Sequence, residues 1–194
     1  MTEPARRTPG RPRDVDTHEA VLEATRAILL EQGYHRLTFG AVADAAGTTR
    51  STLYRWWPTL GALVLEAAAD NIDIGEVPDS GDSRTDVECA VRQLIRTFSD
   101  PLAKIVIMAA IANLDGDMDM ATRFREEAVY PWRSTAAAAI ERARDRGDLS
   151  PGSDPTFLLN VIVGTVFQCT VVPAKPMLDG LEGGLLDLIL PPAR

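Results

Sequence analysis

Residues 33–58 of the chain read GYHRLTFGAVADAAGTTRSTLYRWWP, and the fold depends on how this stretch is interpreted. Apolar side chains recur at helical spacing over 41–47, and Thr38 is a good cap for a helix that starts there. A second short helix over 49–55 ends before Pro58, because the residue before a proline avoids helical backbone. Two short helices joined by a tight Ala-Ala-Gly turn match a helix-turn-helix, and an ordinary hairpin of two helices is the alternative.

The second short helix has a polar outer face that suits a DNA groove. Small hydroxyl side chains let a helix approach base edges, arginines pair with guanine acceptors, and hydroxyl groups bond phosphate oxygens. The N-terminus of the helix adds a partial positive charge that favours phosphate. The candidate DNA contacts of this helix are Thr48, Thr49, Arg50, Ser51, Thr52, Tyr54 and Arg55.

This run resembles the DNA-binding module of the TetR (tetracycline-repressor-like) family. The Gly-aromatic opening, the Thr before the first short helix, Ala-x-x-Ala-Gly, Leu-Tyr-Arg and the aromatic-Pro ending all fall at that family's spacing. The resemblance implies that Thr38 caps a helix and contacts phosphate, that residues 48–51 face the major groove, and that Tyr54 and Trp56 contact phosphate. The alternative for Trp56 is simple contact with Trp57, which is expected in the core together with Leu53.

The chain departs from the family pattern at Leu60, where the family usually carries a lysine at the start of the fourth helix. One phosphate contact is expected to be lost, which would weaken DNA binding and reduce its dependence on salt. Thr48 also stands where a small aliphatic residue is common, so it either packs or reads a base.

Charge is distributed unevenly along the chain. The formal net charge is −8, but residues 1–57 hold eight arginines against seven acidic residues, and the remainder holds twelve basic against twenty-one acidic residues. An acidic body repels phosphate and restricts DNA contact to the N-terminal end. Within a flexible basic arm at residues 1–14, Arg11 and Arg13 are candidate minor-groove contacts, and a solvated tail is the alternative.

The rest of the chain is predicted to be helical, since no strand-like alternation of period two persists anywhere. The first helix is expected to start at Asp16, and breaks rich in proline and glycine separate the later ones. The predicted helical segments after the DNA-reading pair are 59–72, 84–98, 101–114, 118–146, 154–171 and 178–189. The predicted fold is therefore all-α, with a three-helix helix-turn-helix DNA-binding module over 15–74 and a helical ligand-binding and dimerisation domain over 84–190.

The last two helices are expected to form a homodimer interface. The segment 154–171 is apolar nearly all round, so it must be buried on every side, either by a partner subunit or by the core of its own subunit. A two-fold pair of the last two helices would make a four-helix interface and present two DNA-reading helices to a palindromic operator. The candidate interface residues are Leu158, Ile162, Val166, Leu181, Leu185 and Ile189.

A pocket for a small-molecule effector is expected among the middle helices. Few charges point inward by periodicity, so the ligand is predicted to be apolar or aromatic. The candidate lining residues are Ile95, Phe98, Met108, Ile111, Phe124, Trp132 and Phe167, each of which can instead be ordinary core.

Signals for catalysis, cofactors and metals are weak. His18 and His35 are the only histidines and lie in no nucleophilic constellation, and no phosphate-binding loop, dinucleotide fingerprint or zinc spacing is present. The acidic residues over 115–126 echo a calcium loop, but Met120 stands where the loop needs glycine. Cys89 and Cys169 are expected to be reduced thiols. We expect neither an enzyme nor a cofactor.

The leading hypothesis is a cytoplasmic repressor that a small apolar ligand releases from a palindromic operator. The apolar stretch over 157–172 is too short and too polar to span a membrane, so no membrane partner is expected. One alternative is a helical small-molecule-binding or enzymatic protein that no longer uses its DNA module. The other is a constitutive DNA binder without a ligand.

Overall fold

The computed structural model describes residues 12–72, 75–112, 118–150, 152–173 and 175–190. These residues form helices joined by turns, with no strand among them, which confirms the all-α prediction. The chain divides into two compact units between Ala67 and Ala68.

The described residues of the first unit, 12–67, form four α-helices and one 3₁₀ turn. They are α1 (Pro12–Gln32), the 3₁₀ turn Tyr34–Arg36, α2 (Phe39–Ala45), α3 (Arg50–Trp56) and α4 (Leu60–Ala67). Helix α1 packs against α2 and α4, and α2 packs against α3.

The described part of the second unit has a 3₁₀ turn at Ala69–Asn71 and then a series of α-helices. These are α5 (Ser83–Ser99), α6 (Pro101–Ala112), α7 (Met118–Phe124), α8 (Tyr130–Arg146), α9 (Pro155–Thr170) and α10 (Leu181–Ile189). A π-helical stretch, Arg125–Val129, joins α7 to α8.

Helix α1 begins at Pro12, four residues before the predicted start at Asp16. Proline suits the first position of a helix, because its φ is already helical and its missing N–H has no partner there anyway. The backbone of Arg13 is therefore helical rather than part of a flexible arm, and Arg11 lies outside the described residues.

A polar cluster joins three helices of the first unit. The indole N–H of Trp57 donates to Glu66 Oε2 at 2.6 Å, and Glu66 Oε1 lies 2.7 Å from His18 Nε2. The His18 ring stacks on Trp57 with 4.9 Å between centroids. Arg26 Nε donates to the carbonyl of Ala67 at 2.8 Å. Together these contacts join α1 to the end of α3 and to the last turn of α4.

Helix α5 is the centre of the second unit and packs against α6, α8, α9 and α10. Its buried residues recur every three or four positions, so a single stripe faces the core. That core is composed of apolar side chains from α5, α8, α9 and α10, among them Val91, Ile140, Leu159 and Leu186.

Asp86 is a fully buried carboxylate on the core-facing stripe of α5. Ser80 donates to its Oδ1 from the hydroxyl at 2.6 Å and from the backbone N–H at 3.0 Å. Its Oδ2 lies 3.4 Å from Arg146 Nη1 and 3.8 Å from Arg142 Nη2. Burial raises the pKa of Asp86, but the Ser80 hydrogen bonds and the two guanidinium groups outweigh it and hold the pKa below its usual value.

Replacing Asp86 with asparagine is expected to lower the free energy of unfolding by about 2–3 kcal/mol at pH 7, because a buried ionic cluster loses its only fully buried anion. Both arginines keep Asp79 as a partner, which limits the loss. Since the pKa of Asp86 is lowered in the folded state, its contribution is present above the unfolded pKa and is lost as pH falls below about 4. Urea unfolding at pH 7 and pH 3 measures both effects.

Asp145→Asn is the matched control, because Asp145 pairs with Arg144 on the surface of the same unit. Such exposed pairs contribute about 0–1 kcal/mol. Equal unfolding free energies for the two variants at pH 7 would contradict the role given to Asp86.

Glu66→Ala is expected to lower the unfolding free energy of the first unit by about 1–3 kcal/mol, because it leaves the indole N–H of the buried Trp57 without an acceptor. Glu66→Gln keeps an oxygen there and should recover most of that loss. Urea unfolding followed by tryptophan fluorescence measures the difference. If Glu66→Gln is as unstable as Glu66→Ala, the hydrogen bond to Trp57 is not the cause.

Candidate nucleic-acid interface and ligand cavity

Threonine caps start both short helices of the candidate DNA-reading pair. Thr38 has extended backbone, and its hydroxyl accepts from the N–H of Ala41 at 3.1 Å. Thr49 caps α3 in the same way and accepts from the N–H of Thr52 at 3.3 Å. Between the helices Gly47 has φ of +64°, a left-handed conformation that glycine adopts without strain. The caps and this glycine produce the sharp turn of a helix-turn-helix.

The start of α3 presents a cluster of hydroxyl groups to solvent. The hydroxyl of Thr49 lies 2.8 Å from that of Ser51 and 3.0 Å from that of Thr52. Arg50 is exposed beside them, and Arg55 is exposed on the next turns. The N-terminal end of α3 therefore offers short hydroxyl side chains and the Arg50 cation at the positive end of the helix dipole, and Arg55 adds a second cation in the last turn.

The other predicted DNA contacts are distributed around this cluster. Thr38, Tyr54 and Arg55 are exposed, and Thr48, Thr52 and Trp56 are half-buried. The ring centroid of Tyr54 lies 4.5 Å from that of Phe39 on α2, and this contact restricts the position of the Tyr54 hydroxyl. Trp56 contacts the rings of Trp57 and His18 edge-on, and Arg55 Cζ lies 5.5 Å from its centroid.

Gly40 adjoins the candidate DNA-reading surface and is not among the residues predicted from the sequence. It is buried on α2, directly under the side chain of Arg50. A Cβ at position 40 would lie only 2.9 Å from Arg50 Cζ, so any side chain there displaces the guanidinium group. The signal in the sequence was a glycine on the face of α2 that meets α3, which indicates that another group approaches the backbone closely there.

The second unit contains an apolar cavity of about 210 Å³ between its middle helices. Two aromatic rings in its wall, Phe98 and Phe167, meet edge to face with centroids 6.0 Å apart. The lining residues are Ile72, Leu94, Thr97, Phe98, Ile107, Ile111, Phe124, Ala128, Val129, Trp132, Arg133, Val163 and Phe167.

Two of the predicted lining residues do not line this cavity. Ile95 packs against the core, and Met108 is 46% exposed. Each is one position away from a residue that does line the cavity, Leu94 and Ile107. One position rotates a side chain by about 100° around a helix, which takes it off the cavity wall.

The residues predicted to form the dimer interface are instead core residues of their own unit. Ile162, Val166, Leu185 and Ile189 are each no more than 4% exposed, Leu181 is 8% exposed, and Leu158 packs against this core. Ile162 and Val166 are buried because α5, α8 and α10 pack against the side of α9 on which they lie. The exposed face of α9 and α10 consists of other residues: Thr156, Phe157, Asn160, Gly164, Gln168, Gly183, Gly184, Asp187 and Leu188.

Several weaker signals find no site in the described part of the chain. No group of metal-ligating side chains is found there, and the first acidic residues of the calcium-like stretch lie outside it. Cys89 and Cys169 are free and half-buried. None of the described helices is both long and apolar enough to cross a membrane.

Comparison with known proteins agrees with this arrangement in both units. A family model described as bacterial regulatory proteins of the tetR family matches residues 21–67, and one described as the tetracyclin repressor-like C-terminal domain matches residues 77–189. The HTH-type transcriptional regulator YdeS of Bacillus subtilis (strain 168) is 30% identical over 88% of this chain and 86% of its own length.

Two further relatives extend the agreement to the whole fold. The DNA-binding transcriptional repressor TetR of Mycobacteroides abscessus is 27% identical over 88% of this chain and 90% of its own. The crystal structure of the TetR family transcription regulator SCO0332 is 31% identical, has a TM-score of 0.60, and covers 91% of this chain and 100% of its own. The chain therefore belongs to the TetR family of HTH-type transcriptional regulators, which bind DNA and are not enzymes.

Proposed function

We propose that this regulator is a homodimeric repressor that binds a palindromic operator and is released from it by a small apolar ligand. The hydroxyl and arginine cluster at the exposed start of α3 is the observation that carries the DNA-reading half of this proposal. Residues 15–74 are the proposed DNA-binding domain, and residues 84–190 are the proposed ligand-binding and dimerisation domain. A protein with this role acts in the cytoplasm, where the chromosome is.

The start of α3 enters the major groove in this proposal. Arg50 reads base edges, Thr49 and Ser51 approach bases or phosphate with short side chains, and Tyr54 and Thr38 bind phosphate oxygens. Thr48, Thr52, Arg55 and Trp56 complete the surface, and Arg11 and Arg13 are kept as minor-groove contacts. Leu60 is half-buried at the start of α4 and supplies no cation to the backbone of the DNA.

A second copy of the chain covers the exposed face of α9 and α10 in this proposal. Phe157 is 64% exposed and Leu188 60% exposed, and both are large apolar side chains. At Gly164, Gly183 and Gly184 an added Cβ would meet nothing within 4 Å, so a partner helix can approach closely there. A dimer formed through this face would carry two α3 helices, one for each half-site of a palindromic operator.

The cavity is the proposed effector site, and two of its lining residues link it to other parts of the chain. Ile72 lines it and follows the 3₁₀ turn that comes directly after α4 in the chain. Arg133 lines it and donates to Asn160 on the exposed face of α9 at 3.0 Å. A ligand that binds the DNA-free conformation more tightly shifts the population away from the operator-bound one.

Arg50→Ala is expected to weaken binding to the operator about 5- to 150-fold, because a base contact contributes about 1–3 kcal/mol of discrimination. Binding to unrelated DNA should change far less. The operator can be selected from genomic fragments that flank the gene, and fluorescence anisotropy at two salt concentrations gives both affinities. Arg144→Ala, an exposed arginine of the second unit, is the control.

Gly40→Ala tests the same contact while Arg50 remains in place. The added methyl group displaces the guanidinium group, so affinity for the operator should fall about tenfold, within the range of one lost base contact. The melting temperature should change little, because only the flexible end of a surface side chain has to move. If Gly40→Ala binds the operator as wild type does, the position of Arg50 over α2 has no part in recognition.

The double variant Phe157→Glu, Leu188→Glu is expected to be monomeric and to lose most of its operator affinity, because four carboxylates would meet across the two-fold axis. Sedimentation equilibrium measures the mass. Tyr130→Glu alters an equally exposed aromatic residue of α8 and should leave a dimer. A double variant that stays dimeric would show that the subunits associate through another surface.

A further inference from the structure

The polar groups in the wall of the cavity are almost all hydrogen-bond donors. Among the described residues that line it, the polar side chains are Thr97, Trp132 and Arg133, and none is acidic. An indole offers one N–H and a guanidinium group five, and neither accepts a hydrogen bond. An occupant that matches this wall must supply acceptors.

The indole N–H of Trp132 lacks a partner. Trp132 is 6% exposed, and its Nε1 atom is buried without a hydrogen bond to any described residue. Buried polar groups in folded proteins nearly always have a partner, so the unpaired N–H of this cavity-lining residue marks a position where an acceptor atom of a ligand would complete it. The missing atom is an acceptor, because indole nitrogen only donates.

Arg133 adds a positive charge next to this N–H. Its side chain is half-buried, and its described hydrogen bond goes to a neutral amide oxygen, Asn160 Oδ1. No described carboxylate pairs with it, so the charge remains available to an anion. Trp132 and Arg133 follow the π-helical stretch, which itself supplies Ala128 and Val129 to the wall. Such stretches occur frequently at functional sites.

The volume of the cavity limits the size of the ligand. An apolar cavity of about 150 Å³ accommodates benzene. At about 210 Å³ this cavity has room for a body of roughly two fused rings. Apart from the three polar side chains its wall is apolar, and the edge-to-face pair of Phe98 and Phe167 suits the contact with another ring.

We propose that the effector is a compact aromatic or alicyclic acid, whose ring body fills the apolar cavity and whose carboxylate accepts hydrogen bonds from Trp132 Nε1 and Arg133. This inference rests on the proposed function of the cavity as the effector site. It excludes cationic effectors, because an ammonium group would meet a guanidinium group and no carboxylate in the described wall.

Three probes with the same naphthalene ring test the proposal on the whole chain, residues 1–194, by isothermal titration calorimetry. They are 2-naphthoate, the neutral 2-naphthamide and the cation 2-naphthylmethylammonium. We expect naphthoate to bind at least about tenfold more tightly than the amide, since hydrogen bonds to charged groups are the stronger ones. The cation should bind most weakly of the three. A cation that binds more tightly than the acid, or no binding by any probe at millimolar concentration, overturns the proposal.

Variants of the two donors separate their parts. Arg133→Gln should bring the affinity for naphthoate down to that for naphthamide, and Arg133→Lys should restore part of the preference. Trp132→Phe should lower the affinities for naphthoate and for naphthamide about five- to tenfold, because one hydrogen bond to each is lost. Arg144→Gln, on the exposed side of α8, is the control. If Arg133→Gln keeps the wild-type ratio of the two affinities, Arg133 does not hold the carboxylate.

An operator-release assay with the same probes distinguishes failure of this inference from failure of the proposed function. If naphthoate binds with the expected selectivity but leaves the operator complex intact, the ligand class stands and the effector role of the cavity is contradicted. If instead the cation or the amide releases the operator while naphthoate does not, the effector role stands and the inferred ligand class is wrong.

Discussion

The carboxylate of Asp86 is buried between α5 and α8, and the second unit is organised around it. A lone buried charge is costly, so the cluster holds together only if Ser80, Arg142 and Arg146 all stay in place. Asp82, which caps α5, and Ser83, which donates to Asp148 at 2.6 Å, extend the network to the turn after α8. The start of α5 is thereby tied to the end of α8.

This arrangement gives the pair of helices two chemically different ends. Asp86 and Arg142 meet at one end, whereas Leu94, Phe98 and Trp132 line the cavity at the other. Eight to twelve residues separate the two regions along α5, which is about 12–18 Å at the rise of an α-helix. The ionic end fixes the register of the two helices, and the apolar end can then stay open without the helices sliding past each other.

The DNA-binding unit was largely predictable, because its determinants are local in sequence. Threonine caps, a glycine at a left-handed turn and Pro58 act over a few residues, and the structure has helices where they predict them. The cavity was predictable only in part. A stripe on a helix can be located to within one residue, and a one-residue error put Ile95 and Met108 in the predicted wall in place of Leu94 and Ile107.

The proposed dimer face shows a different limit of sequence reasoning. Helix α9 is apolar nearly all round, and no periodicity tells which of its sides the neighbouring helices of the same subunit cover. Here α5, α8 and α10 cover the side with Ile162 and Val166, so those residues became core. Asp86 was overlooked because an acidic residue is usually exposed, although it shares its helical stripe with the buried Val87 and Ala90.

The π-helical stretch Arg125–Val129 sets the rotational phase between α7 and α8. A π-helical turn holds one more residue than an α-helical turn. Relative to an unbroken α-helix, the side chains after the turn are therefore rotated by about 100° around the helix axis. Phe124 and Trp132 line one cavity across this offset. The shape of the ligand site thus depends on residue count as well as residue identity. Relatives that differ by one residue in this stretch would present a different wall to their ligands, even if every cavity side chain were the same.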